Sequence, residues 1–350
     1  TSQSLADIDP ASGIDFVRIT HPGNAPFTTA NPNDFANGRG GVDYQYGIGR
    51  MEVTTFQWVE FFNAAYDRDP TDRIPHLELP TFWGAGGAIP HTPGGLRFSV
   101  PAGNENRPVG NISWRMAAIY TNWLCNNKGT QRSAFLSGAY DVSTFATLGG
   151  EQRAHTPGAR YWIPTWDETL KASHYDSQKA NTDGSIGGWW TYGNGSDTPY
   201  VYGPPGVTIN GQPTQANAGW DNRMYPGRSP FTIPLGAYPA VQSPWGLLDV
   251  AGGTTEWTES VLVVDTVPYR IFDGSWWSLD PGGARQLDTA RTYGGEFSYI
   301  PTLEFGLRIA TSVPSPGTCA AGVGVFLLYG ARRKRRNTCS GCSSSASPPS

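Results

Sequence analysis

The chain has 350 residues, of which only 15% are charged, with 44 Gly, 29 Pro and 13 Trp. Globular domains average about 25% charged residues, and this balance points to a loop-rich fold whose turns need special backbone angles and whose core is filled by rings. The formal net charge is −4, but residues 313–350 hold five basic residues and no acid, leaving 20 basic against 29 acidic residues elsewhere. Such an acidic body excludes nucleic acid as a partner, because that affinity comes largely from phosphate neutralisation. The 44 aromatic residues exclude disorder across the body. Three of the four cysteines, Cys319, Cys339 and Cys342, lie in the last 32 residues, so Cys125 alone in the body excludes a disulfide framework.

Residues 1–11 form a polar N-terminal segment with neither a basic nor an apolar leader region. Residues 22–42 read as loop, and Tyr44 to Val53 as a strand leading into a helix. After Thr54, the spacing of Phe56, Val59 and Phe62 predicts a helix over 55–66. Ser113 is a good N-cap for a helix over 113–126, with Met116, Ala117, Tyr120, Trp123 and Leu124 on one face. Thr165 and Glu168, directly after Pro164, make a capping box for a third helix over 165–174. Short strands are expected at 246–250, 269–273 and 306–311, with Gly187 to Tyr192 as irregular chain and Glu256/Glu259 on a loop. No internal repeat or linker divides residues 12–312, which are expected to fold as one α+β domain.

Four segments then carry a family resemblance. Gly49-Arg-Met-Glu-Val-Thr54 precedes an aromatic helix; Arg107-Pro-Val-Gly-Asn-Ile-Ser-Trp114 runs on to Ala117 and Tyr120-Thr-Asn-Trp-Leu124; Arg160-Tyr-Trp-Ile-Pro-Thr165 leads to Glu168 and Lys171-Ala172. The last group is Trp245-Gly-Leu-Leu-Asp-Val-Ala-Gly-Gly253 with Glu256-Trp257, then Asp273-Gly-Ser-Trp276, then Phe305-Gly-Leu-Arg308. In this order and spacing they resemble the formylglycine-generating-enzyme, or sulfatase-modifying-factor, family over roughly four-fifths of the chain. The resemblance implies a variant C-type-lectin fold, loop-rich with short mixed strands. Within it, Glu52, Trp114, Thr165, Glu168, Glu256, Trp257 and Arg308 are expected to be structural, pinning loops together rather than touching a ligand.

The departures bear on function. In the family, the catalytic cysteines lie two and seven residues past the aromatic of the Gly-Gly-Ser-Trp-like motif. Those positions are Ser278 and Gly283 here, and neither supplies a thiolate for copper(I). The five histidines, 21, 76, 91, 155 and 174, contain no His-x-x-x-His-x-Glu spacing of the family's iron-binding branch. The resemblance also implies structural calcium near Glu256; Asn217, Asp221, Asp249 and Glu256 are the oxygen donors for it, although Gly253 replaces the family's usual Asn. Nucleophile elbow, P-loop and zincin motifs are missing from the sequence.

From Val313 the chain changes character. Residues 313–336 run from Pro314-Ser-Pro316 through an apolar stretch, Cys319 to Ala331, to Arg332-Arg-Lys-Arg-Arg336, and resemble a PEP-CTERM-type sorting signal with Ser315 in place of the Glu. That resemblance implies export to the cell envelope or beyond, exosortase-type sorting machinery as a partner, and membrane contact only through residues 319–336 before processing. Thirteen helical residues reach about 20 Å against a bilayer core of roughly 30 Å, which suits a transient anchor. Residues 337–350 are a polar tail with a single Cys339-x-x-Cys342 pair, too little for a zinc site.

Three functions are compatible with these residues. The favoured one is a binding or surface-structural module, with Trp276, Trp277, Ser278, Arg291, Tyr293 and Arg308 as a cleft for a glycan or peptide. The second is an oxidoreductase of the same family with an altered metal site. The third is a diversified lectin-like ligand binder, disfavoured because residues 276–304 contain no Asn.

Overall fold

The computed structural model describes residues 8–32, 34–78, 83–146 and 149–313; the segment expected to be a sorting signal lies outside them from residue 314 on. In chain order, β1 (Phe16–Ile19) and β2 (Tyr46–Gly49) precede α1 (Thr55–Tyr66), β3 (Ile89–Pro90) and β4 (Leu96–Arg97). Then come α2 (Trp114–Cys125), α3 (Ser133–Leu136), β5 (Tyr161–Trp162), α4 (Trp166–His174), β6 (Tyr175–Ala180) and β7 (Ile186–Trp189). β8 (Thr208–Ile209), β9 (Gln212–Pro213), β10 (Thr255–Val264), β11 (Val267–Asp273), α5 (Pro281–Leu287), β12 (Gly294–Glu296), β13 (Phe305–Gly306) and β14 (Ala310–Ser312) complete the described chain.

Two four-stranded sheets organise it. The first has the order β1-β2-β14-β5 and is antiparallel throughout, with the last strand, β14, in its interior. The second, β12-β11-β10-β13, is mixed, because β13 runs parallel to β10 at Thr255 and Glu256. Three two-stranded ribbons, β3-β4, β6-β7 and β8-β9, decorate this frame.

The helices form where their caps say they should. Thr54 and Gln57 bond reciprocally at the start of α1, and Thr165 and Glu168 do the same at α4. Ser113 Oγ accepts the Met116 N–H at 3.2 Å to open α2. On α1 the buried stripe is Trp58, Val59, Phe61 and Phe62, whereas Phe56 is 56% exposed, which corrects the face expected from Phe56, Val59 and Phe62. α2 buries ten of its twelve residues. Its rings meet those of α1: Phe61 and Tyr120 are T-shaped at 5.2 Å, and Trp58 and Tyr120 lie 5.3 Å apart.

Other expectations change. The segment 246–250 is irregular chain leaving a turn, since the Gly246 N–H bonds back to Ser243 O and Asp249 has φ +52°. The stretch 306–311 splits into β13 and β14, with Arg308 between them. Glu256 and Glu259 lie on β10, whose residues 255–259 are all buried, so no polar alternation betrayed the strand. Gly187 to Trp189 belong to β7. Two short helices, α3 and α5, have no counterpart among the three expected.

Candidate functional site

At the centre of the domain Arg308, 4% exposed, joins four distant segments. One terminal nitrogen donates to Gly49 O (3.1 Å) and Arg50 O (2.9 Å); the other donates to Leu248 O (3.0 Å), Asp249 O (3.1 Å) and Glu256 Oε1 (3.0 Å). A planar fork with several fixed donors is suited to this, and a lysine is not. Trp257 beside it stacks on Phe305 at 4.1 Å and donates its indole N–H to Ile112 O at 2.9 Å. Trp114 donates to Thr258 O at 3.1 Å. Buried Glu168 accepts from Thr165 N–H (2.7 Å), Tyr44 OH (2.9 Å) and Trp162 Nε1–H (3.1 Å). These residues tie loops to sheets and helices.

Around Arg308 the core gathers acids. Glu52, Glu256, Asp273 and Asp288 are buried and Asp249 is half-buried, and desolvation raises the carboxyl of each. Glu52 Oε2 accepts from Thr254 OH at 2.6 Å, while its Oε1 has no hydrogen-bond partner. Burial, with Glu256 alongside, pushes Asp273 up to about 8. Asp288 is pushed up to about 7 by burial, against the opposing bonds from Tyr202 and Ser275. A small cavity of about 20 Å³ is lined by Glu256, Asp273, Asp288, Arg308 and His174, among others. Burial drives the His174 imidazole down to about 4, so it is neutral there. Sequence reading singled out neither Asp273 nor Asp288 as a special acid; nothing in a lone Asp announces that it will be enclosed.

Above this cavity β11 ends and the chain turns through Gly274 (φ +81°), where a Cβ would stand 3.0 Å from Glu256 Oε2. Half-buried Trp276 and Trp277 follow, then exposed Ser278. The Trp277 N–H bonds to Gly253 O (3.0 Å), its carbonyl accepts from Gly219 N–H (3.1 Å), and its ring lies 4.3 Å from Phe231. Phe231 in turn meets the edge of Trp83 at 5.0 Å. Trp276 Nε1–H donates to Ser278 Oγ at 3.0 Å. Asp280 then caps α5 by accepting from the Gly282 and Gly283 N–H groups. Ser278 thus lies just before the capped helix α5 and Gly283 in its first turn. The one cysteine among the described residues, Cys125, is at the end of α2; its thiol bonds to Tyr161 O at 3.3 Å, and burial pushes it up.

The six residues expected to share one cleft belong to separate groups. Trp276, Trp277 and Ser278 make the turn just described, but Tyr293 packs on Phe35 (4.4 Å) and Trp166 (5.2 Å). Arg291 is exposed, and Arg308 is inside the core because the carbonyls it satisfies are there. A surface cleft of about 670 Å³ opens instead at the end of α1, between Asn63, Asp67, Arg68 and Arg97.

The four residues expected to hold calcium are otherwise engaged. Asn217 accepts from Trp220 Nε1–H (2.9 Å) and donates to Pro230 O (3.0 Å). Asp221 takes Arg223 Nε–H at 2.7 Å, Asp249 takes Gly236 N–H at 2.6 Å, and Glu256 takes Arg308. As a set they do not fit a calcium ion, which needs six to eight convergent oxygens. Among the described residues no three His, Cys, Asp or Glu side chains are grouped to hold a metal.

Short mixed strands, long loops and a few capped helices around buried Glu256-Trp257 and Arg308 define the α+β fold of formylglycine-generating-enzyme-like proteins, a variant of the C-type-lectin fold. The sulfatase-modifying factor enzyme 1-like domain matches residues 7–313, and the chain belongs to that family. Among solved structures, CarF is similar at 16% identity, covering 87% of this chain and 100% of its own, with a TM-score of 0.51. PvdO from Pseudomonas aeruginosa and Treponema denticola variable protein 1 each match at 14% identity over 89% of this chain and 100% of theirs, with TM-scores of 0.47. At such identity the likeness to CarF is one of fold. No curated protein matches the sequence.

Proposed function

We propose that this chain is an exported, non-catalytic binding protein on a formylglycine-generating-enzyme scaffold, with the Trp276–Ser278 turn and the adjoining loop around Phe231 as its ligand face. One observation carries the reading. Ser278 and Gly283 occupy the places that the family resemblance assigns to the metal-binding thiols, and Cys125 is a lone, half-buried thiol at the end of α2. A serine hydroxyl is far too weakly acidic to replace a thiolate at neutral pH. What the turn does offer is half-buried indole surface beside polar Ser278 and Asp280, a combination that suits the C–H faces and hydroxyls of a sugar. Glycan-array binding by the purified chain, lost in a Trp276→Ala/Trp277→Ala variant of unchanged fold, is the expected result. Copper-dependent oxidation of a cysteine-containing sulfatase peptide refutes the non-catalytic reading.

Export rests on residues 313–336, whose Pro-Ser-Pro segment, uncharged apolar stretch and basic cluster follow the order of a sorting signal. Among the described residues no helix is long and apolar enough to cross a membrane. Intact mass of the protein from its native envelope is expected to lack Arg332 to Arg336; a mass that includes them overturns the sorting reading.

A further inference from the structure

Asp15, just before β1, and Glu52, between β2 and α1, each carry a buried oxygen without a protein partner. Glu52 is 2% exposed, and its Oε1 meets no hydrogen-bond donor. Asp15 is half-buried, and its Oδ1 is in the same condition. Both acids line one pocket of about 30 Å³, with Ile14, Thr54, Gln57 and Ile309 among its other walls. That is room for a single ion or water molecule.

The other oxygen of each acid is already fixed. Asp15 Oδ2 accepts Arg50 Nε–H at 2.7 Å, and Glu52 Oε2 accepts the Thr254 hydroxyl at 2.6 Å. The backbone on either side is tied as well, by Arg50 N–H to Asp15 O (2.8 Å) and Val53 N–H to Leu307 O (2.7 Å). Along the wall, Thr54 and Gln57 form the capping box of α1, and Gln57 Nε2–H reaches Gly13 O at 3.0 Å. The two carboxyl groups are thus held in place with one oxygen of each left over.

Among the described residues no ion pair reaches Glu52, and the neighbouring guanidiniums are spent. Arg50 is bonded to Asp15 Oδ2 and Gly246 O (2.9 Å). Arg308 lies near Glu52 but donates to Glu256 and four carbonyls. Four acids, Asp15, Glu52, Asp249 and Glu256, therefore share two guanidiniums. A buried acceptor without a donor is costly, and so is a charge without a counter-charge; native structures supply water or an ion at such places. A water molecule satisfies the two acceptors and leaves the charge. A cation satisfies both, and carboxylate oxygens select a hard one.

We propose that Asp15 and Glu52 form a site for one hard cation, Ca²⁺ or Na⁺, which fastens the start of β1 to the entry of α1 and, through Thr254, to the start of β10. The protein supplies part of the coordination sphere, and water at the half-buried edge beside Met51 and Gln57 completes it. Sites with few charged ligands hold Ca²⁺ at about 10⁻⁴–10⁻³ M. This site is separate from Asn217, Asp221, Asp249 and Glu256, and it does not depend on the Trp276–Ser278 turn as a ligand face.

Thermal unfolding of the chelator-treated full chain tests it, with ionic strength held by choline chloride, whose cation is too large for the pocket. About 10 mM Ca²⁺, or Na⁺ in place of choline, is expected to raise the midpoint by about 2–4 °C. The salt that gives the rise assigns the ion. Glu52→Gln, which keeps its size and an acceptor for Thr254, is expected to lose the rise, and exposed-site Asp221→Asn to keep it. No rise with either salt, a rise kept by Glu52→Gln or one lost in Asp221→Asn overturns the site. If Glu52→Gln fails to fold, crystals of the wild type grown with the same salts decide. A peak between Asp15 Oδ1 and Glu52 Oε1 at about 2.3–2.6 Å from both supports the site. A water there at ordinary hydrogen-bond distance, or an ion only at Asp249 and Glu256, overturns it.

Discussion

Replacing Arg308 by methionine keeps a long apolar stem in the core and removes every donor at the centre of the domain. Four backbone carbonyls and Glu256 Oε1 lose their partner at once. Removing one member of a buried pair costs about 3–5 kcal/mol, and each buried acceptor left unsatisfied about 1–3 kcal/mol. Because groups around one node share relaxation, these do not add, and about 4–6 kcal/mol is the expected loss. That compares with about 5–15 kcal/mol for a whole domain, so Arg308→Met is expected to be folded but marginal. The loss also depends on pH. Without the guanidinium, Glu256 prefers its neutral form, which it reaches more readily at pH 5 than at pH 8, so the variant's deficit is smaller in acid. Urea unfolding followed by far-UV circular dichroism at both pH values measures this. A deficit under about 1 kcal/mol, or one larger at pH 5 than at pH 8, refutes the assignment of Arg308 as the central tie.

Three further outcomes are expected. Asp273 and Asp288 have folded-state pKa values above those of an unfolded chain, so their contribution is present below about pH 4 and is lost as pH rises through about 7 to 8; thermal midpoints are expected to fall across that window, and a midpoint that rises instead contradicts it. Glu168→Ala strands the Thr165 N–H, Trp162 indole and Tyr44 hydroxyl together, for an expected loss of about 2–4 kcal/mol by urea titration. Gly252→Ala puts a Cβ 2.7 Å from Asn217 N at φ +75°, and a cost of about 2–3 kcal/mol is expected in the same assay.

What the sequence disclosed depended on how local the signal was. The starts of α1, α2 and α4 were legible because Thr54, Ser113 and Thr165 carry their own caps. β10, at ten residues the longest strand, was missed because its first five residues are all buried, polar and apolar alike, which erases the alternation that marks a strand. α5 was hidden by Gly282 and Gly283, although Asp280-Pro281 is a start signal. At the site, Trp276 and Trp277 could be singled out from the motif that precedes them, but the company of Tyr293 could not, since Phe35 and Trp166 lie more than a hundred residues away. Enclosure of Asp273 and Asp288 together is likewise a product of tertiary closure, which no single segment encodes.

The position of β14 sets a schedule for assembly. Ala310 pairs at once with Ile48 of β2 and with Trp162 of β5, so the last strand joins two parts of a sheet that are otherwise unconnected. Arg308, two residues earlier, closes the contacts to Gly49 and Arg50 across more than 250 residues. A nascent chain interrupted anywhere before residue 310 therefore lacks the piece that bridges β2 to β5, however complete its helices. Such long-range closure is slow and comes late. On a ribosome making about 5–20 residues per second, the polypeptide goes without this closing strand for roughly 15–60 s.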